Sequence, residues 1–169
     1  VNPLDPQTIR SSFVNCSKTA QKAISVPKLD DVPWDDLDFF GWINPKAPQQ
    51  GFIVTVRDGK PMGLVLRATD SAPFRTGGAL CDLCHAARPG SDVGLFVAPR
   101  AGLSGRDGNT VGTYICADLA CSLCVRGLRK LPSPQPEPLG TPARIEGLQR
   151  RLDAFFRRAL GEEAVLAER

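Results

Sequence analysis

Two short stretches decide most of what this chain can become: residues 79–86, ALCDLCHA, and residues 110–126, TVGTYICADLACSLCVR. Together they hold five of the six cysteines: Cys81, Cys84, Cys116, Cys121 and Cys124. Cys81 and Cys84 form a C-x2-C knuckle, a spacing that sets two sulfurs on one side of a tight turn. The second group begins where a β-rich run (Val111, Tyr114, Ile115) gives way to a helix-like run. Structural zinc is four-coordinate and tetrahedral, and thiolates suit it. Two sulfurs from a knuckle and two from a strand-to-helix junction describe a treble-clef zinc finger.

Two ligand sets satisfy that description. One is Cys81, Cys84, Cys116 and Cys121, a C-x2-C…C-x4-C pattern in which Asp118 is the candidate N-cap and Cys121 lies in the first helical turn. The other pairs the knuckle with Cys121 and Cys124, which are i,i+3 neighbours on one helix face. Both leave His85 outside the set, facing solvent or a hydrogen-bond partner. The competing fate of such cysteines is disulfides or buried thiols. The chain opens VNPLDPQTIR, without a charged segment leading into an apolar one, so a reduced, cytoplasmic setting is expected. There, paired C-x2-C spacing points to a metal. A redox C-x2-C would call for a thioredoxin-like strand–helix unit, which the flanks do not supply.

The rest of the 169 residues reads as one α+β domain with a C-terminal appendage. Asp5-Pro6 starts a helix, and Ile9, Phe13, Cys16, Ala20 and Ala23 form one apolar stripe that ends before Pro27. Cys16 on that stripe is expected to be core. Residues 27–50 are broken by prolines; Trp34, Leu37, Phe40 and Trp42 are expected to anchor a long loop, with a helical turn ended by Gly41. Residues 51–57 and 61–67 flank Asp58-Gly59, a hairpin signature. Residues 93–98 and 111–115 add two more strands, giving a small antiparallel sheet with the finger at one end. The glycine-rich segment 100–109 between them reads, by composition, as a flexible hairpin loop. A proline-rich linker follows at 131–141. The last element, 142–169, is an amphipathic helix with Ile145, Leu148, Leu152, Phe155, Phe156, Ala159 and Leu160 on one face and arginines on the rest. Its apolar face is expected to dock on the domain. Residues 1–130 then form the zinc-binding domain.

The formal charge of +3 falls to about +1 once four thiolates and a zinc ion are counted. Such a balance does not demand a polyanion. A single histidine excludes His-based triads and multi-histidine metal sites. Four cysteines leave a zinc ion no open position for water, so the metal holds structure. The reading is a binding module and not an enzyme, with no membrane or small-molecule substrate expected. Protein and nucleic acid remain as partner classes.

Three further runs carry a resemblance: IRSSFVNCSK from Ile9, LDFFGW from Leu37, and RAGLSGRDGNTVGTYICADLAC from Arg100 to Cys121. With the knuckle, they resemble the elongation-factor-G-binding family of the FusB type, in its C-terminal treble-clef domain as found in actinobacteria. The resemblance spans residues 5–130. It implies zinc held by Cys81, Cys84, Cys116 and Cys121, and a zinc-bearing surface that docks on elongation factor G without covalent chemistry. In resistance members of the family this releases the factor from ribosomes stalled by fusidic acid. It also makes the 100–109 loop a partner face, with Arg100, Arg106, Asn109 and Tyr114 as partner-binding candidates. Resistance members carry a substantial N-terminal helical bundle, whereas one long helix fits before Pro27 here, so a housekeeping role in translation is an equal expectation. The linker and the basic helix lie outside the resemblance; Arg144 to Arg158 suggest ribosomal RNA. The alternative is a zinc-finger nucleic-acid-binding or regulatory protein.

Overall fold

The computed structural model describes residues 1–69, 77–132 and 139–162. Its centre is a five-stranded antiparallel sheet built from β1 (Phe40–Asn44), β2 (Ala47–Arg57), β3 (Lys60–Ala68), β6 (Val93–Pro99) and β7 (Thr110–Cys116), adjacent in that order. A two-stranded ribbon, β4 (Gly78–Leu80) with β5 (Ala87–Pro89), carries the knuckle. The β2–β3 hairpin closes through Asp58 (φ 50) and Gly59 (φ 73), both left-handed as a type I′ turn requires. Strand β1 takes Phe40, Gly41 and Trp42, where the sequence suggested a turn and loop; only Trp34–Asp36 is helical, as one 3-10 turn. An antiparallel partner in β2 outweighs the local breakers, pairing Phe40 with Val54 and Trp42 with Phe52.

Side chains alternate across a strand, so each face of the sheet builds its own core. On one face Phe40, Trp42, Phe52 and Val54 meet Ile9, Phe13 and Ile24 from the N-terminal segment. Trp42 stacks on Phe40 and on Phe52, each with ring centroids 4.9 Å apart. The other face gathers Phe39, Ile53, Leu64, Leu66, Phe96 and Ile115 around the cysteines and the C-terminal helix.

The single N-terminal helix expected from the apolar stripe is two short ones, α1 (Pro6–Ser11) and α2 (Lys18–Ala23). Asp5 caps the first, accepting the Gln7 and Thr8 N–H groups. Between them the chain docks on β3: Gly63 donates to the Ser12 carbonyl at 2.9 Å, and its own carbonyl accepts the Val14 N–H at 3.1 Å. These bonds replace the helical ladder, and Ser17 restarts it as an N-cap on Ala20. The stripe is still buried at Ile9 and Phe13, and Cys16 packs half-buried beside them.

Segment 100–109 is an ordered unit and not a flexible loop. It contains a helix, α3 (Gly102–Arg106), entered through Gly102 at φ 72. A Cβ on Gly105 would lie 1.7 Å from the Arg100 carbonyl oxygen, so only glycine lets the helix turn fold back this closely. Backbone bonds from Arg100 to Asn109 (2.9 Å) and from Ala101 to Ala159 (2.8 Å) tie it to itself and to the C-terminal helix.

Of the proline-rich linker, residues 133–138 lie outside the described residues. The final helix, after the short α4 (Cys121–Val125), is α5 (Thr141–Leu160), ended by Gly161 in the left-handed region at φ 76. Leu148, Leu152, Phe155, Phe156 and Ala159 are all buried in the second core, against the finger. Among the described residues no helix is long and apolar enough to cross a membrane.

Candidate metal centre

The knuckle is a hydrogen-bonded turn. Cys81 N–H donates to the Ala86 carbonyl, His85 N–H to the Cys81 carbonyl, and Cys84 N–H to the Cys81 sulfur at 3.4 Å. His85 closes the turn at φ 55. On the opposite side β7 ends at Cys116, and Leu119, also at φ 55, turns the chain into α4, whose first residue is Cys121. The helix begins two residues later than an Asp118 N-cap would place it, with Ala120 at the N-cap. Asp118 still serves the turn, its Oδ1 accepting the Ala120 N–H at 3.1 Å. Two non-glycine residues in left-handed conformation flank the cysteines, an arrangement that packing must hold in place; Leu119 is 3% exposed.

The result brings four buried sulfurs together. Those of Cys81, Cys84, Cys116 and Cys121 all lie within 4.8 Å of one another. Cys81 and Cys121 are 3.6 Å apart, as are Cys84 and Cys116. A tetrahedron with Zn–S bonds of about 2.3 Å has edges of about 3.8 Å, so the spacing already suits zinc. Cys124 is buried beside Cys116 and Cys84 as a fifth sulfur. The crowded thiols share their protons unevenly: hydrogen bonding from Cys121 draws Cys116 down to about 4, while bonding from Cys116 pushes Cys84 and Cys121 up. A bound cation would favour the thiolate at all four.

Residues that sequence reasoning left aside hold this geometry. Asp82, inside the knuckle, donates its N–H to the Tyr114 carbonyl at 2.7 Å. Its Oδ2 accepts the Tyr114 N–H (2.8 Å) and the Thr113 hydroxyl (3.1 Å), stitching the knuckle to the edge of β7. Arg151 on α5 reaches the Leu83 carbonyl through Nε at 2.7 Å. Arg88 on β5 forks onto Asp118 with both terminal nitrogens, at 3.1 and 3.2 Å. An acid between knuckle cysteines was visible in the sequence; the arginine contacts join residues too far apart for any local pattern to reveal.

The partner candidates have separate surroundings. Arg100 and Arg106 line a cleft of about 410 Å³ between α3 and residues 14–17. Asn109 is exposed, its amide donating to the Ser104 hydroxyl of its own loop at 3.1 Å. Tyr114 lies half-buried on β7, its backbone engaged by Asp82.

A family model described as the FBP C-terminal treble-clef zinc-finger matches residues 8–159. The chain belongs to this family. The match takes in nearly all of α5 and so runs beyond residue 130. Among solved structures, one described as the structure of the fusidic acid resistance protein FusC is similar at 18% identity and a TM-score of 0.42. The similarity covers 61% of this chain and 47% of that chain, so this chain spans about half the length of that protein. No curated protein matches. In this treble-clef domain the four-sulfur group, buried and closely spaced, has the donor chemistry that zinc takes.

Proposed function

We propose that Cys81, Cys84, Cys116 and Cys121 hold one zinc ion, and that the domain it braces docks on elongation factor G and modulates the factor's release from the ribosome. The match to the FBP treble-clef family over residues 8–159 is the observation that carries this reading. The bound metal supplies a crosslink between the knuckle and the start of α4, and four sulfurs leave no open coordination position for chemistry. The chain's own residues do the rest. Asp82 and Arg151 fix the knuckle, and the glycine-locked 100–109 segment holds its shape before a partner arrives. A preorganised loop loses little conformational freedom on binding. On it Arg100 and Arg106 present positive charge to an acidic partner surface, Asn109 sets the loop's conformation, and Tyr114 lies on the adjoining strand. The site of action is the cytoplasm, and protection from fusidic acid is the outcome when release of a stalled factor is what limits growth.

Titration of purified elongation factor G into the zinc-loaded protein tests this, with the Arg100→Ala, Arg106→Ala double variant beside it. Saturable binding that the double variant weakens at least tenfold is the expected result. Absence of binding at moderate salt, with strongly salt-dependent retention on RNA or DNA instead, would replace it with the nucleic-acid-binding alternative. A ribosomal RNA contact through α5 has few free arginines to draw on. Arg144 bonds the Thr141 hydroxyl, Arg157 pairs with Asp153, Arg158 lies over Phe155 and Arg151 serves the knuckle. Charge reversal at Arg150 then measures what remains: reduced ribosome association with a flatter salt dependence supports the contact, and unchanged association removes it.

A further inference from the structure

The knuckle ribbon carries Arg88 opposite Ala79, at the back of the cysteine turn. Its side chain is 7% exposed and crosses from the knuckle half of the finger to the strand–helix half. There both terminal nitrogens bind Asp118, two residues after Cys116 in the chain. Asp118 is held in turn by the Ala120 N–H and by Arg129 at 2.6 Å, so the anchor point is fixed. Asp92 adds a longer contact at 3.5 Å from the outer side. Arg88 therefore spans the same two halves that the four sulfurs span.

One nitrogen of Arg88 remains. Its Nε is buried without a hydrogen-bond partner, an uncommon state for so polar a group. The guanidinium also interacts with the Cys116 sulfur, and its charge acts on Cys124 as well. Loaded with zinc, the centre carries four thiolates around a divalent ion, a net charge of −2 in a dry setting. A thiolate sulfur bound to a metal still accepts hydrogen bonds, and a cation beside it offsets charge that burial would otherwise penalise.

Resting on the zinc reading above, we propose that Arg88 is a positioning residue of the zinc centre: it donates to the Cys116 thiolate and, through its fork on Asp118, holds the two ligand halves together and slows zinc loss. The fork is the reason for arginine. A lysine could supply charge but only one contact point, and could not serve the carboxylate and the sulfur together.

The test uses the full zinc-loaded chain and four variants: Arg88→Gln, Arg88→Lys, Asp118→Asn, and Arg67→Gln on the exposed part of β3 as a charge-matched control. Zinc affinity is read by competition with a chromophoric chelator, and zinc release by stopped-flow trapping. Cobalt(II) substitution reports sulfur-to-metal charge transfer. Outer-shell partners of metal ligands are typically worth 10–100-fold in affinity. Arg88→Gln should weaken zinc binding by that range, speed release similarly and shift the cobalt charge-transfer band. Arg88→Lys should recover only part of the loss, and Arg67→Gln should match the wild type. Asp118→Asn keeps Arg88 beside Cys116 but loosens the fork, so release should quicken with little change in the band. It also stands in if the Arg88 variants fail to fold. Arg88→Gln with unchanged zinc affinity and cobalt spectrum, even if melting falls, would overturn the proposal, as would an Asp118→Asn release rate equal to wild type. Wild-type protein that takes up no zinc would remove the centre itself, and Arg88's role with it.

Discussion

Asp38 is the residue whose replacement should cost the fold most for the fewest atoms. It precedes β1, yet its carboxylate is 2% exposed and receives Arg126 at 2.6 Å from the end of α4 and Gln149 at 2.8 Å from α5. Its backbone is held separately: the N–H donates to the Ser122 hydroxyl, and the carbonyl accepts the Thr55 hydroxyl. Asp38→Ala therefore removes the side-chain junction between sheet, finger helix and α5 while leaving the chain path in place. Breaking a buried ion pair from one side costs about 3–5 kcal/mol, because the remaining charge is stranded. Arg126, 16% exposed, regains a little solvation, which points to the lower half of that range. Urea denaturation in buffered zinc, following tertiary fluorescence, should show a loss of about 3–4 kcal/mol. Adding Arg126→Met should return part of it, with a coupling energy of up to about 3 kcal/mol. A loss under about 1 kcal/mol for Asp38→Ala would refute the idea that this junction locks α5 and α4 to the sheet.

Other consequences are equally concrete. Serine at Cys84 or Cys121 should abolish zinc retention, whereas Cys16→Ser and Cys124→Ser should each keep a full complement by metal analysis; loss of zinc in Cys124→Ser would shift the ligand set to the fifth sulfur. Gly105→Ala must displace the Arg100 carbonyl, so it should destabilise the protein by about 1–3 kcal/mol and raise amide exchange across residues 100–109. Phe156 is fully buried against the finger, and Phe156→Ala should cost about 3–5 kcal/mol, while exposed Arg150→Ala stays within about 0.5 kcal/mol in the same denaturation assay.

The sequence spoke most clearly where local chemistry and long-range structure agree. Asp58-Gly59 between two β-rich runs could only be a hairpin, and β2 and β3 exceed the expected strands by a few residues. The α5 apolar face was readable because its spacing is repeated over five turns, and every large residue on its centre is buried. The knuckle spacing brought Cys81 and Cys84 together, and the β-to-helix switch did the same for Cys116 and Cys121. What failed were elements decided by tertiary partners. Phe13 fits a helical stripe, but Gly63 captures the backbone on either side of it, at Ser12 and Val14, and splits the helix. Phe40 and Trp42 looked like loop anchors because no local signal announces a strand whose partner begins only after a bend. The 100–109 segment looked flexible because glycine content measures freedom in the unfolded chain, whereas here Gly102 and Gly105 are needed for close, ordered packing. Arg88, Arg151 and the Asp38 junction join residues 30 to more than 100 positions apart, and no pattern in a single window carries them.

In the proposed function a metal ion joins the turn around Leu83 to the start of α4 and so braces the binding surface. Elemental analysis of freshly purified protein, read against protein concentration, tests it most directly. One zinc per chain is expected, lost on chelation together with the ordered near-ultraviolet signal and restored with it on adding zinc. Protein that is fully folded, binds its partner and contains no zinc would contradict it.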